Sequence, residues 1–410
     1  MFDNLLYQPA SAQLVSDIAK NQLPGAILLS GPASSGKLTC ALEIARVLAC
    51  SGEVRGHWLC SCPACRKNKE LASTNLLLAG SRDCTLEIRA ALKALLQAAS
   101  DNGPSLTACR YLFVRSVRKL TLRFSQVLWE DDDKLSKFAP LLQAIDEQLE
   151  MLDMEKSLPE QTKLEKITAE IVKQAEKLES GFMYDALPIS QIRKAAVWAH
   201  LKSAEGKKVF VIENADRMNE GARNALLKTL EEPPEDTVFV LTTCRRGAVL
   251  PTILSRVRTY SFAERTGEEQ AEVIRRVFHA DLSAAGTASS AAAPSIDGYL
   301  QTFLPVTPAQ VGEEAALFVA SLSQGAMPDI PALVKACAAF DPRVLLKIFL
   351  SALMSAFPLQ SAAEAELASQ AVDALRECYN NVQLYNQTPQ AALERLWRDL
   401  YMARRMAGRW

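Results

Sequence analysis

The chain is predicted to be an α/β protein: a P-loop domain with a parallel sheet, carrying a long helical-hairpin insertion and followed by two all-α domains. Three observations predict it. Short apolar runs alternate with helical stretches up to Phe262, the pattern of strands buried on both faces of a parallel sheet. A glycine-rich segment from Gly31 to Lys37 follows the first run and opens a helix, the setting of a phosphate-binding loop. Beyond Phe262 the apolar residues recur at helical spacing and no further strand is expected.

A chain of 410 residues, 49% of them hydrophobic, can bury two or three cores. The formal net charge of −1 excludes a molecule that grips nucleic acid over its whole surface. No apolar run reaches the roughly 18 residues of a spanning helix. The start Met1-Phe2-Asp3-Asn4 has neither the basic nor the apolar region of a signal peptide. A cytoplasmic protein without membrane contact is expected.

Four strands are expected, at residues 26–30, Asn75–Ala79, Val209–Ile212 and Val238–Thr242, with a helix from Lys37 to Leu48. Between the second and third strands lies a segment of about residues 84–186. Within it Leu135, Phe138, Leu142, Ile145, Leu149 and Leu152 step by three and four, and the seam resumes at Leu164, Ile167, Ile171 and Leu178. Pro159 cannot sit inside a helix, so a helical hairpin turning there is the simplest arrangement. From Glu130 to Ser180 there are 14 acidic and 7 basic side chains, a net −7 that repels phosphates. A solvated spacer is the plain reading of this hairpin, and a docking arm for a partner the sharper one. Residues 283–294, small and polar, read as a connector. The stretch Glu364–Met406 reads as two amphipathic helices.

Chemistry concentrates in three places. In Gly31-Pro-Ala-Ser-Ser35-Gly36-Lys37-Leu38-Thr39, backbone N–H groups ring a phosphate, the helix N-terminus adds partial positive charge, and Lys37 meets the outer phosphates. Leu38 stands where a Ser or Thr hydroxyl normally holds Mg²⁺, and Thr39 comes one residue late. The apolar stretch after Lys208, Val209–Ile212, ends at Glu213, the second element of such a site. Glu213 can serve a metal, whereas Asn214, where a catalytic base normally stands, cannot take a proton; Asp216 follows two positions on. Third, Cys50, Cys60, Cys62 and Cys65 crowd into one loop, and four thiolates suit a tetrahedral structural zinc. Unmetallated cysteines are the alternative, and His57 is the substitute ligand should Cys60 not reach. The other six cysteines are scattered among apolar neighbours and read as core. His200 and His279 are isolated, and Arg395, Arg398, Arg404, Arg405 and Arg409 read as a solvated helix face.

At Asn224-Ala-Leu-Leu-Lys228-Thr-Leu-Glu231-Glu232-Pro233-Pro234 the chain resembles the clamp-loader subunits of bacterial DNA polymerase III, the AAA+ family of gamma, tau and delta prime. Leu254-Ser255-Arg256 resembles their Ser-Arg-Cys motif, with Val257 in the cysteine's place. Phe2–Cys50, the cysteine knuckle and the tail Asn386–Leu400 are also similar. The resemblance covers residues 1–80 and 187–262. It implies an AAA+ domain over 1–262, a helical lid over 263–337 and a helical collar for oligomerisation over 338–410. It implies ATP or ADP at the loop, with Gly31, Ser35, Gly36, Lys37, Leu38 and Thr39 as contacts. It implies gamma/tau and delta subunits, the sliding clamp and primer-template DNA as partners, and Arg256 as a finger reaching a neighbour's ATP. Three departures from the motor pattern, Leu38, Asn214 and Met327-Pro328-Asp329, favour the non-hydrolysing delta prime type. The alternatives are an active gamma/tau-like motor and an unrelated P-loop phosphotransferase.

Overall fold

A computed structural model describes residues 1–81, 83–184, 186–203, 206–280, 295–356, 362–383 and 387–406. The connector expected at 283–294, together with Asn386 and Arg409, lies outside them. The chain divides into two compact units, Met1–Leu300 and Gln301–Trp410. Among the described residues no helix is long and apolar enough to cross a membrane.

The first unit is built on five parallel strands, β1 Ala26–Ser30, β2 Leu76–Ala79, β3 Lys208–Ile212, β4 Thr237–Thr243 and β5 Arg258–Ser261, in the order β2-β3-β4-β1-β5. Every residue of β3 and β4 is buried, as continuous apolar runs in a doubly covered sheet must be. Alternation divides them between two cores. Leu28, Phe210, Ile212, Phe239 and Leu241 face the helices of the insertion, while Ile27, Leu29, Val209, Val211 and Val240 face the helix Lys37–Ala49.

β5 departs from the sequence expectation. Arg258-Thr-Tyr-Ser261 buries only Tyr260, because an edge strand packs one side chain and leaves the rest to solvent. The Tyr260 hydroxyl donates to Asp17 at 2.7 Å, tying that edge to the helix Ala10–Ala19.

The segment between β2 and β3 holds the expected hairpin as Leu135–Glu150 and Gln161–Phe182, with Pro159 in the turn. Three further helices, Thr85–Ser100, Leu106–Thr121 and the short Gln126–Trp129, precede it. The hairpin seam is continuous with the sheet's core: Phe138, Ile145, Ile171 and Leu178 are fully buried. Phe138 lies 5.1 Å from Phe124, 4.9 Å from Trp129 and 5.7 Å from Phe182, ring centre to ring centre and edge-on. Polar ties reinforce the seam. Arg110, buried, donates to Leu152 O at 3.0 Å and Lys156 O at 2.9 Å across the hairpin turn. Glu179 accepts from the Cys84 and Thr85 amides at 2.8 and 3.0 Å, capping the helix Thr85–Ser100 from the side. The hairpin is therefore mounted on the domain and presents its acidic face outward.

The second unit is helical, comprising Pro308–Gln324, Ile330–Ala336, Val344–Ser355, Ala362–Gln383 and Pro389–Met406. Phe318, Phe349, Leu393 and Leu396 share its core, and the Trp397 indole donates to Ser321 Oγ at 2.8 Å. Arg395 is an exposed partner of Glu377 at 2.6 Å.

Phe138→Ala removes the ring on which three others converge. It is expected to cost about 3–5 kcal/mol of first-unit stability, measurable as a lower urea midpoint at unchanged slope.

Candidate functional site

The loop after β1 is shaped by two close backbone approaches. Gly31 N donates to Thr243 O at 3.2 Å, and a Cβ on Gly31 would lie 2.5 Å from Phe262 O, so only glycine fits between the strand ends. Gly36 has φ +94°, the left-handed region that glycine enters without strain, and it starts the helix Lys37–Ala49. Ser35 Oγ donates to Pro32 O at 2.8 Å and closes the loop on itself. Lys37 is buried; its amine turns back to Gly31 O at 2.8 Å, to Pro32 O and to Ser35 Oγ at 3.2 Å. Leu38 is 5% exposed and belongs to the core, whereas Thr39 is half-buried. Buried Arg265 donates to Ser34 O at 2.7 Å and to Leu6 O at 2.8 Å, pinning the N-terminal segment to the loop.

At the end of β3, Glu213 forms an ion pair with Arg123, a buried residue of the turn Leu122–Phe124. Asn214 adopts a left-handed conformation and donates through its side chain to Ser81 O at 2.7 Å. Asp216 accepts from Thr243 Oγ1 at 2.7 Å and pairs with Arg245 at 2.9 Å. Both carboxylates singled out in the sequence are thus met by arginines. Arg123 carries no motif, sitting in the long insertion far along the chain from Glu213, and no sequence signal marks it.

Arg256 follows the short helix Pro251–Leu254. Its guanidinium bonds Glu231 Oε1 at 3.0 Å through Nε and Thr252 O at 2.8 Å through Nη1. It is half-exposed, as is Glu231 beside it. The conspicuous block Asn224–Pro234 thereby supplies the residue that holds Arg256 at the surface.

The four cysteines converge. Their sulfur atoms all lie within 4.8 Å of one another, and Cys50 and Cys60 Sγ are 3.8 Å apart. With zinc–sulfur bonds of about 2.3 Å, a tetrahedral S₄ site has edges of about 3.8 Å, so the cluster can hold a metal ion of that kind. Cys60 reaches it, while His57 is exposed and outside it. Gly52 makes room, since a Cβ there would meet Cys60 Sγ at 2.6 Å.

Burial disfavours the Cys62 thiolate. Hydrogen bonds from the Cys65 and Ser51 amides and from neighbouring side chains outweigh this, and its pKa falls to about 6. Burial and the neighbouring thiols push Cys65 well up, against the pull of Arg46. Arg46, 1% exposed, anchors the loop. It forks onto Glu43 at 2.9 and 2.5 Å and donates to Cys65 Sγ at 3.3 Å, His57 O at 3.1 Å and Gly56 O at 2.7 Å.

Comparison with known proteins adds names to this geometry. The family described as "DNA polymerase III, delta subunit" matches residues 7–127 and 148–266, taking in the loop, the cysteines, Glu213 and Arg256. The DNA polymerase III subunit tau of Bacillus subtilis is 29% identical over 143 residues, 35% of this chain and 21% of that protein. Subunit delta' of the same organism is 48% identical over 56 residues, 14% of this chain and 17% of its own. Subunit delta' of Pseudomonas aeruginosa is 53% identical over 51 residues, 12% of this chain and 16% of its own. The chain spans about a fifth of the length of these relatives, or less.

Proposed function

Since the chain belongs to the DNA polymerase III delta-subunit family of clamp-loader proteins, we propose that it acts as a delta prime-like, largely non-hydrolysing subunit. In this reading it helps load the sliding clamp onto primer-template DNA beside gamma/tau and delta subunits. The first unit supplies the AAA+ domain over 1–262. The helices of 263–337 and 338–410 serve as lid and collar, the collar joining subunits. The observation that carries the reading is Leu38, packed in the core where a metal-binding hydroxyl belongs. Asn214 adds a second deficit, because an amide cannot accept the proton of attacking water. ATP or ADP binding remains compatible with Gly31, Gly36 and Lys37. The competing reading, a gamma/tau-like motor, draws on the tau relative, whose match is the longest of the three.

The cysteine cluster is read as a structural zinc site, with Cys50, Cys60, Cys62 and Cys65 filling all four positions and leaving none for substrate. Freshly purified reduced protein should contain one zinc per chain by elemental analysis. Chelation should lower the melting temperature of the first unit, because structural metal binding contributes to folding. Protein that is metal-free yet equally stable contradicts the assignment.

Turnover separates the stator from the motor. The isolated chain should hydrolyse ATP more slowly than an intact motor subunit by on the order of 10²-fold or more, the usual scale for a lost base. Steady-state phosphate release at motor-like rates would establish the competing reading.

Arg256 is read as a finger for the ATP of a neighbouring subunit. Negative charge spreads over the γ-phosphate oxygens as the phosphoryl group transfers, and an arginine supplied across an interface stabilises it. The guanidinium would exchange Glu231 for phosphate. In reconstituted complexes Arg256→Ala should assemble normally and slow clamp- and DNA-stimulated hydrolysis by on the order of 10³-fold or more. Arg256→Lys should rescue poorly, lacking the planar fork. Wild-type loading by the alanine variant would exclude the role.

A further inference from the structure

Arg46 is a charged side chain built into the wall of the cysteine cluster. It stands in the last turn of the helix Lys37–Ala49 and is 1% exposed, as is Glu43 one turn before it. As a device for stability alone such a pair is a poor choice, because apolar side chains of the same size usually serve as well or better. The arrangement of the nitrogens points elsewhere. Nε and Nη2 go to the two Glu43 oxygens, which fixes the plane of the guanidinium. Nη1 is thereby aimed at the cluster, where it donates to Cys65 Sγ at 3.3 Å and to His57 O at 3.1 Å.

Of the four cysteines Cys65 is the one fully buried. A thiolate shut away from water needs a charged or hydrogen-bonding partner. A divalent ion among four thiolates leaves negative charge in excess, and a guanidinium beside the buried sulfur offsets it where charges are weakly screened. Lys69 adds a second cation, but it reaches the loop's backbone, donating to Cys60 O at 2.9 Å. Both cations lie 5.2 Å from the centre of the Trp58 ring. Arg46 reaches a sulfur.

We propose that Arg46 is a positioning residue of the metal site: by donating a charged N–H to Cys65 Sγ it strengthens the hold of the four cysteines on zinc. The inference rests on the reading of Cys50, Cys60, Cys62 and Cys65 as a zinc site. Its rival is a loop staple, an arginine that serves only the Gly56 and His57 carbonyls. A staple is felt in stability and affinity, but not in the electronic spectrum of a sulfur.

The experiment uses the full-length wild type, R46K and R46M/E43M, the last removing both buried charges so that neither is left alone. Reduced, metal-free protein is titrated with Co²⁺ and read by its sulfur-to-cobalt charge-transfer band. Zn²⁺ affinity is measured by competition with a chromophoric chelator. Wild type should bind one Co²⁺ per chain with the strong visible bands of a tetrahedral sulfur site. In R46M/E43M the Zn²⁺ affinity should fall by on the order of 10–100-fold, the usual cost of losing a hydrogen bond to a metal ligand. Its charge-transfer band should move to longer wavelength, since sulfur electrons no longer held by an N–H shift more easily onto the metal. R46K should show part of both changes, because lysine keeps the charge but lacks the fork that serves Glu43 and Cys65 together. An unshifted band in R46M/E43M overturns the proposal, whatever happens to its affinity or melting temperature. A shifted band with Zn²⁺ affinity within about twofold of wild type overturns it too. Should R46M/E43M fail to fold even with metal, R46K decides by the same two readouts, and failure of both variants to fold assigns Arg46 to the fold and overturns the proposal. Wild type without cobalt bands overturns the zinc reading and this inference with it, whereas bands in wild type beside indifferent variants overturn this inference alone.

Discussion

All five strands of the sheet run the same way, and everything chemical in the first unit follows from that. Parallel strands end at one edge, both faces must be covered, and the crevice beyond the carboxyl ends is where side chains can gather. Backbone bonds staple that edge: Gly31 N to Thr243 O, Glu213 N to Ala79 O at 2.8 Å and Phe262 N to Ser30 O at 2.7 Å. The ends approach so closely that a Cβ on Gly80 would sit 2.2 Å from Glu213 O. The positions of the loop and of Glu213 are thereby set by the sheet, not by any ligand.

Elsewhere in the first unit, arginines do what apolar packing cannot. Arg115 donates to Asn68 O at 3.2 Å and Lys69 O at 2.5 Å, and Arg118 to Glu70 O at 3.1 Å. These are the carbonyls at the end of the short cysteine helix Pro63–Lys69, which lack partners within the helix. Arg110, one turn earlier on the same helix Leu106–Thr121, holds the turn of the hairpin. A guanidinium can satisfy several carbonyls at once in a fixed plane, so a single helix joins the cysteine loop to the acidic hairpin. Arg46 performs the same service within the cysteine loop, with the difference that its charge is met by buried Glu43.

Much of this was legible before any coordinates. The four apolar strands, the loop, the convergence of Cys50 with Cys60, Cys62 and Cys65, and the seam running through Phe138 and Ile171 are written in local spacing, because each depends on neighbours a few residues apart. β5 was not legible, since an edge strand need bury only one face and Arg258-Thr-Tyr-Ser261 has no apolar run. The pairs Arg123–Glu213 and Arg256–Glu231 were hidden for another reason. Partners separated by 90 and 25 residues are brought together by tertiary packing, and no period or motif announces them. Leu38 and Asn214 were visible as departures; that Glu213 is also neutralised was not.

The loop itself combines two tendencies. Gly31, Gly36 and Lys37 carry the glycine-rich pattern of a phosphate loop, yet the Lys37 amine bonds Gly31 O, Pro32 O and Ser35 Oγ. Arg265 fixes Ser34 O to the N-terminal segment, and Leu5 Cδ1 would stand 2.9 Å from a Cβ on Gly36. Phosphate oxygens are acceptors like the carbonyls now bound to the amine, so a nucleotide would exchange one set of acceptors for another, with a charge-assisted gain on the phosphate side. Hydrolysis asks for more than exchange. It needs a metal held by a hydroxyl that Leu38 lacks, a base that Asn214 cannot be, and a carboxylate that Arg123 already occupies. On the proposed reading binding and turnover are separable: the first depends on a loop whose shape the sheet imposes, the second on side chains held in the core (Leu38), in a hydrogen bond to Ser81 O (Asn214) and in an ion pair (Glu213).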